Sequence, residues 1–375
     1  MAAENLTLFQ DHVVVGGESG NPRPATNQLS EDHPSQVEKL FQFAAFERKL
    51  TSNNMMDDAR GFVTARVDEV LEELRIPPAA VTVGLMGSCG TAFWAGYSIS
   101  DLDFYIELDE SRLSEGREIR DLIIPALFAL VKREEERAEN KPVARGHTTM
   151  KGDPENPTTV CFIKCNGTKK KGASISAVRA RVDVTLLTPS DAQVAKSCRA
   201  WLGKTQGLYL GHVAHVSILL KWIIHVSELP DNPEFHLSSI ALVAITAANT
   251  ALLDGLNCLP TEAAAAAQKV LEAIVESSKF DVAIACDEQS GGAKFVRRDV
   301  SEDGGRISIS LKHGLDTFRA STKLRSGSIK RFDKLRDLLT DILKRGAEGF
   351  FVIAEATPTK QFRDFNRAAH FLRSD

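Results

Sequence analysis

Val81-Thr82-Val83-Gly84-Leu85-Met86-Gly87-Ser88, then twelve residues, then Asp101-Leu102-Asp103-Phe104-Tyr105-Ile106-Glu107-Leu108, is the stretch that decides the fold. Residues 81–86 read as a short buried strand, and 104–108 as a second. In a strand, residues two apart point to the same face. Asp101 and Asp103 therefore project their carboxylates together. A third aspartate stands in Arg181-Val182-Asp183-Val184-Thr185, again against strand-like apolar sequence. If residues 182–187 pair beside the first two strands, three carboxylates gather on one face. Such a cluster repels itself unless a cation joins it, and hard oxygen donors suit magnesium or manganese. Two such ions are the standard device for moving a nucleotidyl group. The plainer alternative makes Asp101 and Asp103 caps or loop residues, but two carboxylates on a buried strand without a cation are costly.

The residues before the aspartate pair point the same way. Gly87-Ser88 closes a strand, and the chain from Cys89 onward is expected to open a helix. Backbone amides at a helix N-terminus hold phosphate, and glycine lets a triphosphate approach closely. The pair is weak evidence alone. Followed by Ser100-Asp101-Leu102-Asp103 and then by Asp183, it carries much more.

These islands resemble the signature of the polymerase-beta-type nucleotidyltransferases. A second block, Leu219-Leu220-Lys221-Trp222-Ile223 followed by Leu237-Ser238-Ser239-Ile240-Ala241-Leu242-Val243, resembles the central domain of non-canonical poly(A) polymerases and terminal uridylyltransferases. The resemblance spans roughly residues 40–345, though its motifs fill only short islands. It implies an α+β fold, with a mixed-sheet catalytic layer and a mostly helical central domain. It also implies template-independent nucleotide addition to an RNA 3′ end, with magnesium or manganese held by Asp101, Asp103 and Asp183. Gly87, Ser88, Lys221, Ser238 and Ser239 are then the nucleotide-binding residues. His225 stands where the family often has a second basic residue, and Ser197 is the nearest match to its ribose contact. Ile240 departs from the family's usual tyrosine, which stacks on the base. A compact body with a long insertion between the second and third aspartates looks like the short trypanosomatid terminal uridylyltransferases. That likeness favours UTP over ATP. A poly(A) polymerase and a nucleotide second-messenger synthase are the alternatives.

Lys221 and the two serines have plainer readings as well. Val213, Val216, Leu220, Ile223 and Ile224 make an apolar helical face, and a lysine beside it simply snorkels at the rim. Ser238 and Ser239 serve equally as N-caps.

Composition agrees with this assignment without proving it. The chain has 375 residues, is 43% hydrophobic and 26% charged, and carries a net charge of −4. Two domains fit in that length. No global basic field attracts nucleic acid, so contacts with single-stranded RNA must be local. The densest basic segment is 312–336, where Lys323, Arg325, Lys330 and Arg331 are the RNA-contact candidates. A solvated helix face is the alternative. No apolar run reaches membrane-spanning length, and neither a secretory signal nor an Arg-rich transit peptide is expected. Six scattered cysteines fit reduced thiols in a cytoplasmic or mitochondrial setting. Cys161 and Cys165 lack the partners of a zinc site.

The organisation follows. Residues 1–35 read as a loose tail, and 36–60 as a helical segment that packs on the helical domain. Residues 61–189 form the catalytic domain, 190–355 the helical nucleotide- and RNA-binding domain, and 356–375 a C-terminal tail. Helices are expected over 36–50, 55–74, 117–138, 190–202, 211–226, 237–253, 261–278 and 328–343, with Ser190 and Thr261 as N-caps. Strands are expected over 158–165 and 177–187, around a turn at residues 169–171. Residues 140–157 read as an inserted loop. Residues 280–286 and 306–311 read as short strands or connectors.

Overall fold

The computed structural model describes residues 54–95, 100–112, 116–137, 142–166, 178–226, 239–277, 282–296, 307–313 and 316–319, with a few positions between 336 and 343. The tail at 1–35, the helix expected at 36–50, the lysine turn at 169–171, Ser238, and the candidates Lys323, Arg325, Lys330 and Arg331 lie outside them. So does most of the helix expected at 328–343. The chain divides into two compact units, one of Ala44–Gln206 and one of Gly207–Asp375 with Met1–Phe43.

The Ala44–Gln206 unit is built on a mixed sheet. Its elements are α1 (Asn54–Glu73), β1 (Val81–Leu85), β2 (Leu102–Leu108), α2 (Gly116–Glu136), β3 (Thr149–Gly152), β4 (Pro157–Asn166), β5 (Val178–Leu187) and α3 (Pro189–Thr205). The strand order is β1-β2-β5-β4-β3. Only β2 and β5 run parallel, since α2 and the β3–β4 hairpin carry the chain back between them.

Alternation along the strands separates two faces. Leu102, Phe104 and Ile106 of β2, Val182 and Val184 of β5, and Val160 and Phe162 of β4 are buried. They share one core with Val63, Val67 and Val70 of α1 and with Ile123, Ile124 and Leu127 of α2. The rings of Phe62 and Phe162 meet with centroids 5.5 Å apart. Each such buried side chain contributes about 1.5–3 kcal/mol. Arg66 of α1 pairs with Glu134 of α2 at 3.1 Å, which fixes the helices over the sheet. Pleating sends Asp103, Tyr105, Cys161, Asp183 and Thr185 to the opposite face.

Four details differ from the sequence reading. Residues 87–93 form consecutive turns and bends rather than a helix, because Gly87 and Gly90 adopt left-handed φ values of 61° and 70°. The segment read as an inserted loop contains β3, whose four residues are all exposed and so show no alternation. The third helix is capped by Thr188, whose hydroxyl accepts from the Asp191 amide, with Pro189 at the first helical position. Ser190 therefore lies inside that helix. Finally, α3 clusters with the sheet, tied there by Lys196 to Glu107 at 2.6 Å and by the Arg199 guanidinium donating to the Cys89 carbonyl.

The second unit holds α4 (His212–Val226), α5 (Ser239–Gly255), α6 (Ala263–Ser277), β6 (Val282–Asp287), β7 (Ala293–Val296), β8 (Ile307–His313) and β9 (Asp316–Arg319). Helix α5 is buried on every side from Ala241 to Thr250, as expected of a helix apolar all round. Its Thr246, Asn249 and Thr250 side chains donate to the carbonyls four residues back, at 2.7–2.8 Å. The segments read as strands or connectors are strands β6 and β8, in a sheet ordered β7-β6-β8-β9. Among the described residues, no helix is long and apolar enough to cross a membrane.

Candidate active site

Register builds the site. On the parallel pair β2 and β5, Asp103 stands opposite Asp183. On the next strand Cys161 stands opposite Asp183, and Thr149 of β3 opposite Cys161. Asp103, Asp183, Cys161 and Thr149 thus form one row across four strands. Asp101 lies immediately before β2 and shares the face of Asp103. The three predicted aspartates thus share one face of the sheet, with Asp103 and Asp183 in register.

Cationic side chains stand among them. Arg181, two residues before Asp183 and on its face, places Nε 3.5 Å from Asp101 Oδ2 and 3.3 Å from Asp183 Oδ1. Lys151 of β3 donates from Nζ to Asp183 Oδ2 at 3.0 Å. Burial pushes the Asp103 carboxyl up to about 7, helped by the charges of Asp101 and then Asp183, with Arg181 and Lys151 acting against them. Burial disfavours the charged form of Lys151, but Asp183 outweighs it and holds the ammonium above its usual range. Among the described residues, no three His, Cys, Asp or Glu side chains converge to hold a metal ion as they are placed. The carboxylates are instead partnered by Arg181 and Lys151.

The turns after β1 approach the same row. The Met86 amide donates to the Asp103 carbonyl at 2.9 Å, which extends the β1–β2 ladder by one bond. Gly87 follows, and a Cβ there would lie 3.5 Å from Asp103 Oδ2. Its backbone conformation, more than the space, calls for glycine. Ser88 is buried, and its carbonyl accepts from the Thr91 hydroxyl at 2.7 Å. The Ala92 amide donates to the Gln206 side chain at 3.0 Å, anchoring the turns to the end of α3. Gly84 faces Tyr105 across the ladder. A Cβ at Gly84 would come within 2.4 Å of that ring, so glycine there lets Tyr105 lie over the strand.

The remaining predicted residues lie on other elements. Ser197 is buried in α3, and its hydroxyl donates to the Gln193 carbonyl at 3.0 Å. Lys221 lies in α4 and is buried rather than exposed at a rim. His225 is in the same helix, but its side chain lies outside the described residues, as does Ser238. Ser239 begins α5, half-buried, with Ile240 beside it. Sequence reasoning did not single out Arg181 or Lys151. The alternation that placed Asp183 also places Arg181, so that signal was present. Lys151 carried none, because nothing local revealed the edge strand beneath it.

No family model matches the chain, and no curated protein matches it. Solved structures do. With mtPAP in complex with GTP the identity is 13%, over 96% of this chain and 83% of that one, at a TM-score of 0.47. With a cytoplasmic RNA terminal U-transferase the identity is 12%, over 87% and 100%, at 0.49. With RNA editing TUTase 1 from Trypanosoma brucei in complex with UTP it is 10%, over 85% and 88%, at 0.47. With scores and identities this low, the chemistry of the site rests on the residues described above.

Proposed function

We propose that the chain is an RNA nucleotidyltransferase that adds UMP from UTP to the 3′-hydroxyl of single-stranded RNA without a template. The observation that carries this is the register of Asp103 against Asp183 on parallel strands, with Asp101 on the same face. The donor set fits magnesium or manganese. Three carboxylate side chains supply hard oxygens, and burial, then the charges of Asp101 and Asp183, raise the Asp103 carboxyl. Two cationic side chains already stand in against that charge. Asp101 and Asp103 would hold both ions, with Asp183 completing one of them. When bound, the metals would ease deprotonation of the attacking hydroxyl and offset negative charge on the departing pyrophosphate.

The chain's own residues do the rest. The Asp183 carboxylate takes the proton of the RNA 3′-hydroxyl as that oxygen attacks the α-phosphate in line. No Ser, Cys or His nucleophile is required. Gly87 and Ser88 serve the triphosphate through the backbone at the turn. On the resemblance alone, Lys221, His225, Ser238 and Ser239 are assigned to the nucleotide, and Ser197 to the ribose. The basic segment holding Lys323, Arg325, Lys330 and Arg331 is assigned to RNA phosphates. Ile240 offers the base an apolar contact without a π-face. Action in the cytoplasm or mitochondrion, alone or within a protein complex, belongs to the same proposal.

Adenylyl transfer is the second reading, since the resembled family uses either nucleotide. The test is incubation of the purified chain with a short single-stranded RNA, magnesium and each of the four NTPs separately. Extension fastest with UTP supports the proposal. Extension fastest with ATP replaces it by the poly(A) reading, and products formed from NTPs without RNA replace it by second-messenger synthesis.

A further inference from the structure

We infer that Arg181 and Lys151 are resident counter-ions of the carboxylate cluster, competing with a divalent cation for Asp101 and Asp183. This rests on the reading that the cluster binds magnesium or manganese. Three observations support it.

First, the contacts are those a bridging cation would make. Arg181 Nε lies within 3.5 Å of one oxygen on each of Asp101 and Asp183. Lys151 takes the other oxygen of Asp183 at 3.0 Å, and Arg181 reaches that oxygen too, at 3.5 Å. Both carboxylate oxygens of Asp183 are therefore engaged. Second, the acidic side chains do not converge on a metal position as they are placed. Cationic groups satisfy them separately, so nothing draws them to one point. Third, the pairs are easily exchanged. The Arg181 and Lys151 side chains are 48% and 49% exposed, although Asp183 is only 14% exposed, so solvent weakens each pair from its cationic side. A divalent ion meeting several carboxylates gains more than either pair loses.

Their positions suit reversible exchange. Lys151 stands on the edge strand β3, whose residues are all exposed. Arg181 stands on β5 with its head group half in solvent, so its stem can swing without disturbing the strand. Once displaced, both cations remain tethered beside the cluster. While metal is absent, the two cations offset part of the negative charge on Asp101 and Asp183.

The experiment measures Mn2+ binding directly, by the paramagnetic resonance signal of free Mn2+, on the full chain without nucleotide or RNA. Arg181→Met and Lys151→Met should each tighten Mn2+ binding by about fivefold, the equivalent of losing one exposed ion pair. Arg181→Lys, which keeps the charge, should stay near the wild-type affinity. Asp183→Asn should weaken binding at least tenfold. Circular dichroism confirms that each variant is folded, and Arg181→Gln replaces Arg181→Met if the latter is not. Unchanged or weaker Mn2+ binding in both the arginine and lysine variants, with Asp183→Asn still weakened, overturns the competition while leaving the metal site in place. Absence of Mn2+ binding in the wild type, or binding indifferent to Asp183→Asn, overturns both.

Discussion

Asp103 is the most strained charge in the site. Its carboxyl rises from 3.8 to about 7, through burial first and then through Asp101 and Asp183. A carboxyl whose folded value is raised gives stability that is whole below its unfolded value and is lost as pH climbs through the folded one. In chelator, the wild type should therefore lose stability between about pH 4 and pH 7, by an upper bound of about 4 kcal/mol from this group. Asp103→Asn should lose less over that interval and melt higher than the wild type at pH 8. Thermal melts in EDTA across the interval check this, and parallel curves for the two proteins would refute it. Gly84 makes a second prediction at this scale. Gly84→Ala would bring a methyl group into the Tyr105 ring, and the ring, itself buried, has little space to yield. Destabilisation of about 1–3 kcal/mol by urea denaturation is expected, and a smaller loss when Tyr105→Leu is added. The aspartates were legible because a strand's two-residue period fixes their face. Arg181 and Lys151 were less so, since their partners depend on strand register and on an edge strand with no apolar pattern.

Elements show where local signals suffice and where packing overrides them. Helices α1, α4, α5 and α6 fall where apolar periodicity put them, to within about two residues. Pro125 lies inside α2 without ending it. Proline removes one backbone bond, yet Ile123, Ile124 and Leu127 are buried on either side of it, and that burial holds the helix. The turns over 87–93 went the other way. Glycine at positive φ, with the Thr91 hydroxyl donating to the Ser88 carbonyl and accepting from the Phe93 amide, satisfies the backbone without helical bonds. At the start of α3, Thr188 rather than Ser190 is the cap, because Pro189 fits the first helical position and places its predecessor in extended backbone. Thr188→Ala should therefore cost about 1 kcal/mol of stability in chemical denaturation, whereas Ser190→Ala should cost only a few tenths. Equal effects would mean that the cap bond contributes nothing.

At the scale of the molecule, two units share one chain, and the boundary between Gln206 and Gly207 leaves α3 with the five-stranded sheet. Four strands of the mixed sheet were legible, since they carry either the aspartates or apolar runs, whereas the exposed edge strand β3 was not. The second sheet was only partly so, because β6 to β9 are short and separated by polar, glycine-bearing sequence. The proposed base contact lies in the second unit. Replacing Ile240 by tyrosine adds a stacking surface worth about 1 kcal/mol, so UTP should bind about fivefold more tightly to Ile240→Tyr in a direct titration. No gain would remove Ile240 from the nucleotide site. The proposed template-independent addition of nucleotides to RNA rests on Asp101, Asp103 and Asp183. It is tested most directly by resolving the products of an end-labelled single-stranded RNA on a gel after incubation with magnesium, UTP and either wild type or Asp103→Asn. The account predicts stepwise lengthening by the wild type and none by the folded variant. Lengthening by Asp103→Asn at the wild-type rate, or no lengthening by the wild type with any NTP, would contradict it.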